Sequence, residues 1–98
     1  SSRSSRAART AVLWCNYVID PTATPPLRVA FAVGRSYGRA VDRNRLRRRL
    51  RALLPAVADE LDVHSGRLLI GAKPAAREQT FEELRTQLTT LLTEVTAT

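Results

Sequence analysis

Methionine is absent from these 98 residues, and cysteine, histidine and tryptophan occur once each. The lone Cys15 cannot close an internal disulfide, and a single thiol suits a reducing compartment. With no second cysteine and no basic neighbour to activate it, Cys15 reads as a buried structural thiol. His64 lies between Asp62 and Ser65 in a turn-forming stretch and has no second histidine with which to share a metal. It reads as a solvated loop residue, because a general base would need a partner in reach. Asp59, Glu60 and Asp62 crowd one helix end, where such a run is usually a solvated face. Only Asp42 lies near the basic residues, so the convergent carboxylates of a metal-dependent nuclease are missing. The sequence argues against catalysis by protein groups, and no metal ligand set is legible. No apolar run approaches the roughly 20 residues of a bilayer span, and no signal-peptide core is visible. A soluble, cytoplasmic protein is expected, and the missing methionine makes a trimmed piece of a longer chain the expected origin. Aromatic residues make up 5%, which confines base-stacking platforms to Trp14, Tyr17, Phe31, Tyr37 and Phe81.

What the chain has is charge, in one place. Gly34 to Arg51 reads GRSYGRAVDRNRLRRRLR and holds eight arginines against Asp42. That block nets +7, as does the whole chain, so the rest is neutral. Solvated faces normally mix signs. A single-sign block repels itself without a partner, and a polyanion is the natural one. All its basic residues are arginine, the side chain suited to bidentate phosphate contacts and to stacking on bases. Gly38 also suggests a helix start whose amides stay open to phosphate.

Ninety-eight residues with 44% hydrophobic content make one domain. Residues 1–8 are polar and aperiodic, either a frayed terminus or a short edge strand. Arg9 to Ile19 is rich in β-branched and aromatic residues and reads as a strand, with Ala11, Leu13, Cys15 and Tyr17 on one face and Val12, Trp14, Asn16 and Val18 on the other. Asp20-Pro21 signals a turn, and PTATPP a proline-stiffened loop. Leu27 to Gly34 is a second strand, with Val29, Phe31 and Val33 as its bulky face. Leu46, Leu50, Leu53, Leu54 and Val57 then form a helical stripe. Asn44, Arg48 and Arg51 fall opposite that stripe, with Arg45, Arg47 and Arg49 on its flanks and Arg43 leaning over the edge of the core. Pro55 is expected to end or kink the helix near Leu54, with PAVADEL adding another turn or two. Asp62 to Gly66 forms a turn and Arg67 to Ala72 a central strand. Thr80 and Glu83 have capping-box spacing before a last helix striped by Phe81, Leu84, Leu88, Leu91, Leu92 and Val95. The residues alone give β–β–α–β–α, an α+β sandwich of helices on a sheet.

Within the basic block the order of residues is specific. Gly34 to Arg51, with Gly38-Arg39-Ala40-Val41 leading into Arg43-Asn44-Arg45-Leu46, resembles the signature of the bacterial ribonuclease P protein family. RTAVLW, LRVAFAV, RLLIGAKPA and TFEEL resemble the family's strands and the start of its last helix, so the likeness runs from about Arg3 onward. Ser36 replaces a second basic residue, and Tyr37 stands where the family usually has an aliphatic one. The family's first helix, one wall of its central cleft, has no counterpart here.

The resemblance implies a two-layer α/β sandwich of βββαβα order after a missing first helix. It also implies a left-handed βαβ crossover, similar to domain 2 of ribosomal protein S5, against the usual right-handed rule. The implied function is that of the protein subunit of ribonuclease P, inactive alone. Its partner RNA, with RNA-held Mg²⁺, removes the 5′ leader of precursor tRNA. Implied RNA-binding residues are Arg35, Arg39, Arg43, Asn44, Arg45, Arg47, Arg48, Arg49 and Arg51. Trp14, Arg43 and Lys73 are candidates for the cleft that grips the leader, although Trp14 equally fits a core position under a helix. A monomeric subunit without membrane contact is expected. The alternative is a structural RNA-binding protein of ribosomal type, which would not need the ordered Gly-x-Ala-Val-x-Arg-Asn-Arg frame. A helix-turn-helix DNA binder fits poorly, because the basic helix lies between strands. If the arginine block neutralises six or more phosphates, titration of RNA at several salt concentrations will give a slope of log K on log salt of about −4 or steeper. A shallow slope places the binding surface elsewhere.

Overall fold

The run from Arg9 to Ile19 is two strands and not one. In the computed structural model, which describes residues 4–19 and 25–96, the chain reverses at Thr10 to Val12. β1 (Ser4–Arg9) then pairs antiparallel with β2 (Leu13–Ile19), Arg9 opposite Trp14. The Thr10 hydroxyl accepts the backbone N–H groups of Val12 and Leu13 at 3.3 and 3.1 Å, and the Thr10 N–H donates to the Leu13 carbonyl at 2.7 Å. A threonine side chain thus makes a turn that usually announces itself through Gly, Pro, Asn or Asp. Of residues 1–8, those described form an edge strand. The turn expected at Asp20-Pro21 and the loop through Thr24 lie outside the described residues.

The sheet has the order β1-β2-β4-β3, with β3 spanning Arg28–Ala32 and β4 spanning Arg67–Ala72. β4 runs antiparallel to β2 and parallel to β3. A parallel neighbour requires a crossover, and here the crossover is α1 (Ala40–Glu60), reached through a 3₁₀ turn at Arg35–Tyr37. A second 3₁₀ turn, Pro74–Glu78, leads from β4 to α2 (Phe81–Thr96). The described elements therefore follow the order βββαβα.

Both helices pack on one side of the sheet. Leu13, Cys15 and Tyr17 of β2, with Leu68 and Ile70 of β4, share a single core with the leucine stripes of α1 and α2. The five stripe residues expected on α1 are all buried, as are Leu84, Leu88, Leu91, Leu92 and Val95 of α2. Phe81 departs from its stripe: it opens α2, with no turn before it to extend the packed face, and stays 42% exposed. Tyr37 is 3% exposed and fills the core, so its aromatic ring is accommodated as packing. Burial pushes its phenol pKa above the ordinary value.

Pro55 does not stop α1, which runs on to Glu60. Proline deletes one N–H donor, and its site is exposed, so the carbonyl it leaves unbonded can reach water. Leu53, Leu54, Val57 and Ala58 on both sides of it are buried, and burying that turn outweighs one lost hydrogen bond. The capping box forms as expected: the Thr80 N–H donates to Glu83 Oε1 at 2.8 Å, and the Glu83 N–H donates to Thr80 Oγ1 at 3.1 Å.

Cys15 is 1% exposed, and burial raises its thiol pKa to about 11. Thiolate at neutral pH is then roughly a hundredfold scarcer than for the unperturbed group. Alkylation with iodoacetamide at pH 8 is expected to be negligible in the folded protein and rapid in denaturant. Fast labelling of native protein would contradict the packing.

Gly66 closes the other end of the sheet. Its φ is +101°, and a Cβ there would meet Tyr17 Cε1 and the Val18 carbonyl oxygen, each at 2.9 Å. The Tyr17 hydroxyl donates to the Ser65 carbonyl at 2.7 Å, so the ring cannot swing aside without losing that bond. Gly66→Ala is expected to destabilise the fold by about 2 kcal/mol or more in urea unfolding. An unchanged midpoint would show that the strand end relaxes freely.

Candidate nucleic-acid interface

Burying the leucine stripe of α1 turns its arginines away from the sheet. Arg45, Arg48 and Arg51 are exposed along the helix, and Asn44 beside them is exposed as well. Arg35 and Arg39 are exposed in the segment before it. The remaining three arginines are half-buried. Arg47 donates to the Val33 carbonyl and to Asn44 Oδ1, both at 3.2 Å, tying α1 to the end of β3 and orienting the asparagine. Arg49 reaches the Gln79 carbonyl at 3.5 Å. Arg43 sits in the first turn, where its backbone N–H donates to the Arg39 carbonyl at 3.0 Å. The Arg51 guanidinium lies 5.4 Å from the centre of the Phe31 ring, a cation–π distance.

At the start of α1, which Gly38 suggested would stay open to phosphate, one backbone amide has a protein partner. The Asp42 carboxylate accepts the Arg39 N–H at 3.1 Å and brings a negative charge to the positive end of the helix. Gly38 is pressed between Asp42 and Arg77, whose Nη1 lies 3.0 Å from where a Cβ would stand. Arg77, on the second 3₁₀ turn, joins Arg45 and Arg49 around a small pocket lined also by Tyr37 and Asp42. Nothing in its sequence position announces that neighbourhood, which only the fold creates.

The other basic surface is the sheet face without helices. Strand register places three rows across it. One end carries Val18, Arg67 and Arg28 side by side, the middle Ala7, Asn16, Leu69 and Ala30, and the far end Arg9, Trp14, Gly71 and Ala32. Trp14 lies on the face that no described helix covers, half-buried. Trp14 and Lys73 line one groove with Ala7, Arg9 and Asn16, which also takes in Ala8 and Cys15 from the helix-covered side and Glu94 of α2. Lys73 is held there, its N–H donating to the Val12 carbonyl at 2.8 Å and its Nζ to the Thr10 carbonyl at 3.3 Å. Arg43 is not among the residues that line this groove. The sequence reading missed Arg9, Arg28 and Arg67. For Arg28 and Arg67 the available signal was their parity with Ala30 and Gly71 along the strands, whereas Arg9 reaches the Trp14 face only through the turn at Thr10. Arg28 and Arg67 are register partners, and like charges so placed repel.

His64 stays in the loop before β4, exposed, with Nε2 2.9 Å from Asp62 Oδ1. Among the described residues no group of three His, Cys, Asp or Glu could hold a metal ion. No helix among them is long and apolar enough to cross a membrane.

Known proteins resemble this chain in sequence and in architecture. The family model for ribonuclease P matches residues 2–96. A ribonuclease P protein component of Mycolicibacterium vanbaalenii is 37% identical over 94 residues, 96% of this chain and 78% of that relative. One from Bacillus cereus is 36% identical over 72 residues, 74% of this chain and 62% of that protein's length. The ribonuclease P protein of Staphylococcus aureus superposes with a TM-score of 0.80 at 15% identity, over 94% of this chain and 82% of that one. That of Thermotoga maritima gives 0.79 at 16% identity, over 93% and 84%. At such identities the two structures speak for the fold alone. The match across nearly all described residues, with the Gly-x-Ala-Val-x-Arg-Asn-Arg frame at the start of α1, shows that the chain belongs to the bacterial ribonuclease P protein component family.

Proposed function

We propose that the two basic surfaces divide an RNA substrate complex between them: the arginine ridge of α1 docks on the RNA subunit, and the open sheet face holds the 5′ leader of precursor tRNA. The chain is the protein subunit of ribonuclease P and supplies no catalytic group of its own. The Mg²⁺ of the reaction belongs to the RNA in this reading, and Asp42, the acid nearest the arginines, is engaged in capping α1. The subunit acts as a monomer within the assembly.

One observation carries the division. The exposed arginines of α1 and the Trp14 face of β2 lie on opposite sides of one sheet, so a single RNA segment cannot cover both. The ridge consists of phosphate-binding groups with no aromatic platform beyond Phe31, which Arg51 already covers. It suits a folded RNA read through its backbone. The sheet face combines an indole with flanking cations, the arrangement that binds single strands.

Two measurements test this. Added to its RNA subunit and precursor tRNA at low Mg²⁺, the protein is expected to speed leader removal, with no cleavage by protein alone. Arg48→Ala is expected to weaken binding to the RNA subunit and to lower the magnitude of the salt slope by about 1, while discrimination between precursor and mature tRNA is kept. Lys73→Ala is expected to do the reverse. Variants that each impair both properties alike would refute the division.

A further inference from the structure

Glycine in the interior of a central strand weakens it, because it adds entropy to the unfolded chain and packs nothing. Gly71 sits in the middle of the sheet, in β4. Backbone conformation does not require it there: the positive-φ glycines among the described residues are Gly38 and Gly66. What Gly71 meets is Trp14, its register partner on β2. A Cβ built on Gly71 would fall inside the indole, against Cε2, Cζ2 and Nε1. Carbon atoms in contact stand about 3.5–4.0 Å apart, so the ring occupies the space any other residue would claim. Gly71 is buried although no described helix covers that face, and the indole is what covers it. Beyond it in the same row, Ala32 is small enough to leave the ring uncrowded.

We infer that Gly71 is a positioning residue for single-stranded RNA. Having no side chain, it lets Trp14 lie across the strand with one face on the backbone and the other open to a base. Arg9 and Lys73, lining the same groove, stand where the flanking phosphates would pass. A ring propped upright by a side chain at position 71 would offer an edge, and stacking needs a face. The inference rests on the leader reading above and names what makes that surface work.

Trp14 is the sole tryptophan, so intrinsic fluorescence reports on this ring alone. The test uses the assembled holoenzyme with two precursor tRNAs, one bearing a leader of several nucleotides and one a single-nucleotide leader. Gly71→Ala is expected to shift Trp14 emission and to raise KM for the long-leader precursor by roughly fivefold or more. The value of kcat and the binding of the short-leader precursor should stay unchanged. Trp14→Ala is expected to cause the same loss, and adding Gly71→Ala to it, where the space is now empty, should cost nothing further. Unchanged long-leader KM in Gly71→Ala, or a further loss in the double variant, overturns the positioning role while the leader reading stands. Unchanged leader binding in Trp14→Ala overturns both. Should Gly71→Ala alone fail to fold, the double variant must fold, and its failure to do so overturns the inference.

Discussion

The orientation of α1 depends on one apolar stripe. Leu46, Leu50, Leu53, Leu54 and Val57 must leave water, and only one rotation of the helix on the sheet buries all five. That rotation points Arg45, Arg48 and Arg51 outward, so the hydrophobic effect aims the charges. The same packing explains the tolerance of Pro55, because a turn held by Leu54 and Val57 does not need every backbone hydrogen bond. It also makes β3 and β4 parallel neighbours, since α1 is their crossover.

A block of eight arginines this dense works against folding unless part of its charge is met locally. The structure meets it unevenly. Asp42 stands beside the helix start, the Val33 carbonyl and Asn44 take Arg47, and the Phe31 ring takes Arg51. Arg45 and Arg48, toward the middle of the exposed side, are the residues left most available to phosphates. Arg77 adds a cation from outside the block and widens the ridge toward the second 3₁₀ turn. The ridge is thus partly built into the fold and partly exposed to solvent. Arginine suits both uses, because its planar fork can bond a carbonyl on one edge and present the other.

The sheet's open face follows a different logic. Its middle rows carry small or uncharged residues and its ends carry cations, so a strand of RNA laid on it would meet a low, uncrowded surface between charged stations. Trp14 lies low there because β4 presents no side chain beneath it, and it reaches that face at all because β2 alternates against the leucines and Cys15 of the core. The proposed division uses both sides of a single sheet. The helices cover one side, and their outer surface becomes the second interface.

Much of this was legible in the sequence. The helical stripes, the capping box at Thr80 and Glu83, the central strand Arg67 to Ala72 and the ordered arginine frame are local patterns whose physics acts over a few residues. The turn at Thr10 was not legible, because a hydroxyl made it where no glycine or proline marked it. The run through Pro55 was not legible either, because long-range burial outweighed a local rule. The sequence by itself determined where the charge lies and which residues must be buried, since periodicity and composition carry that information directly. Only the tertiary structure decided that Trp14 lies on the open face over Gly71, that Lys73 joins it while Arg43 does not, and that Arg77 meets the start of α1. Those are meetings between residues far apart in the chain, set by strand register and by which side of the sheet each helix covers.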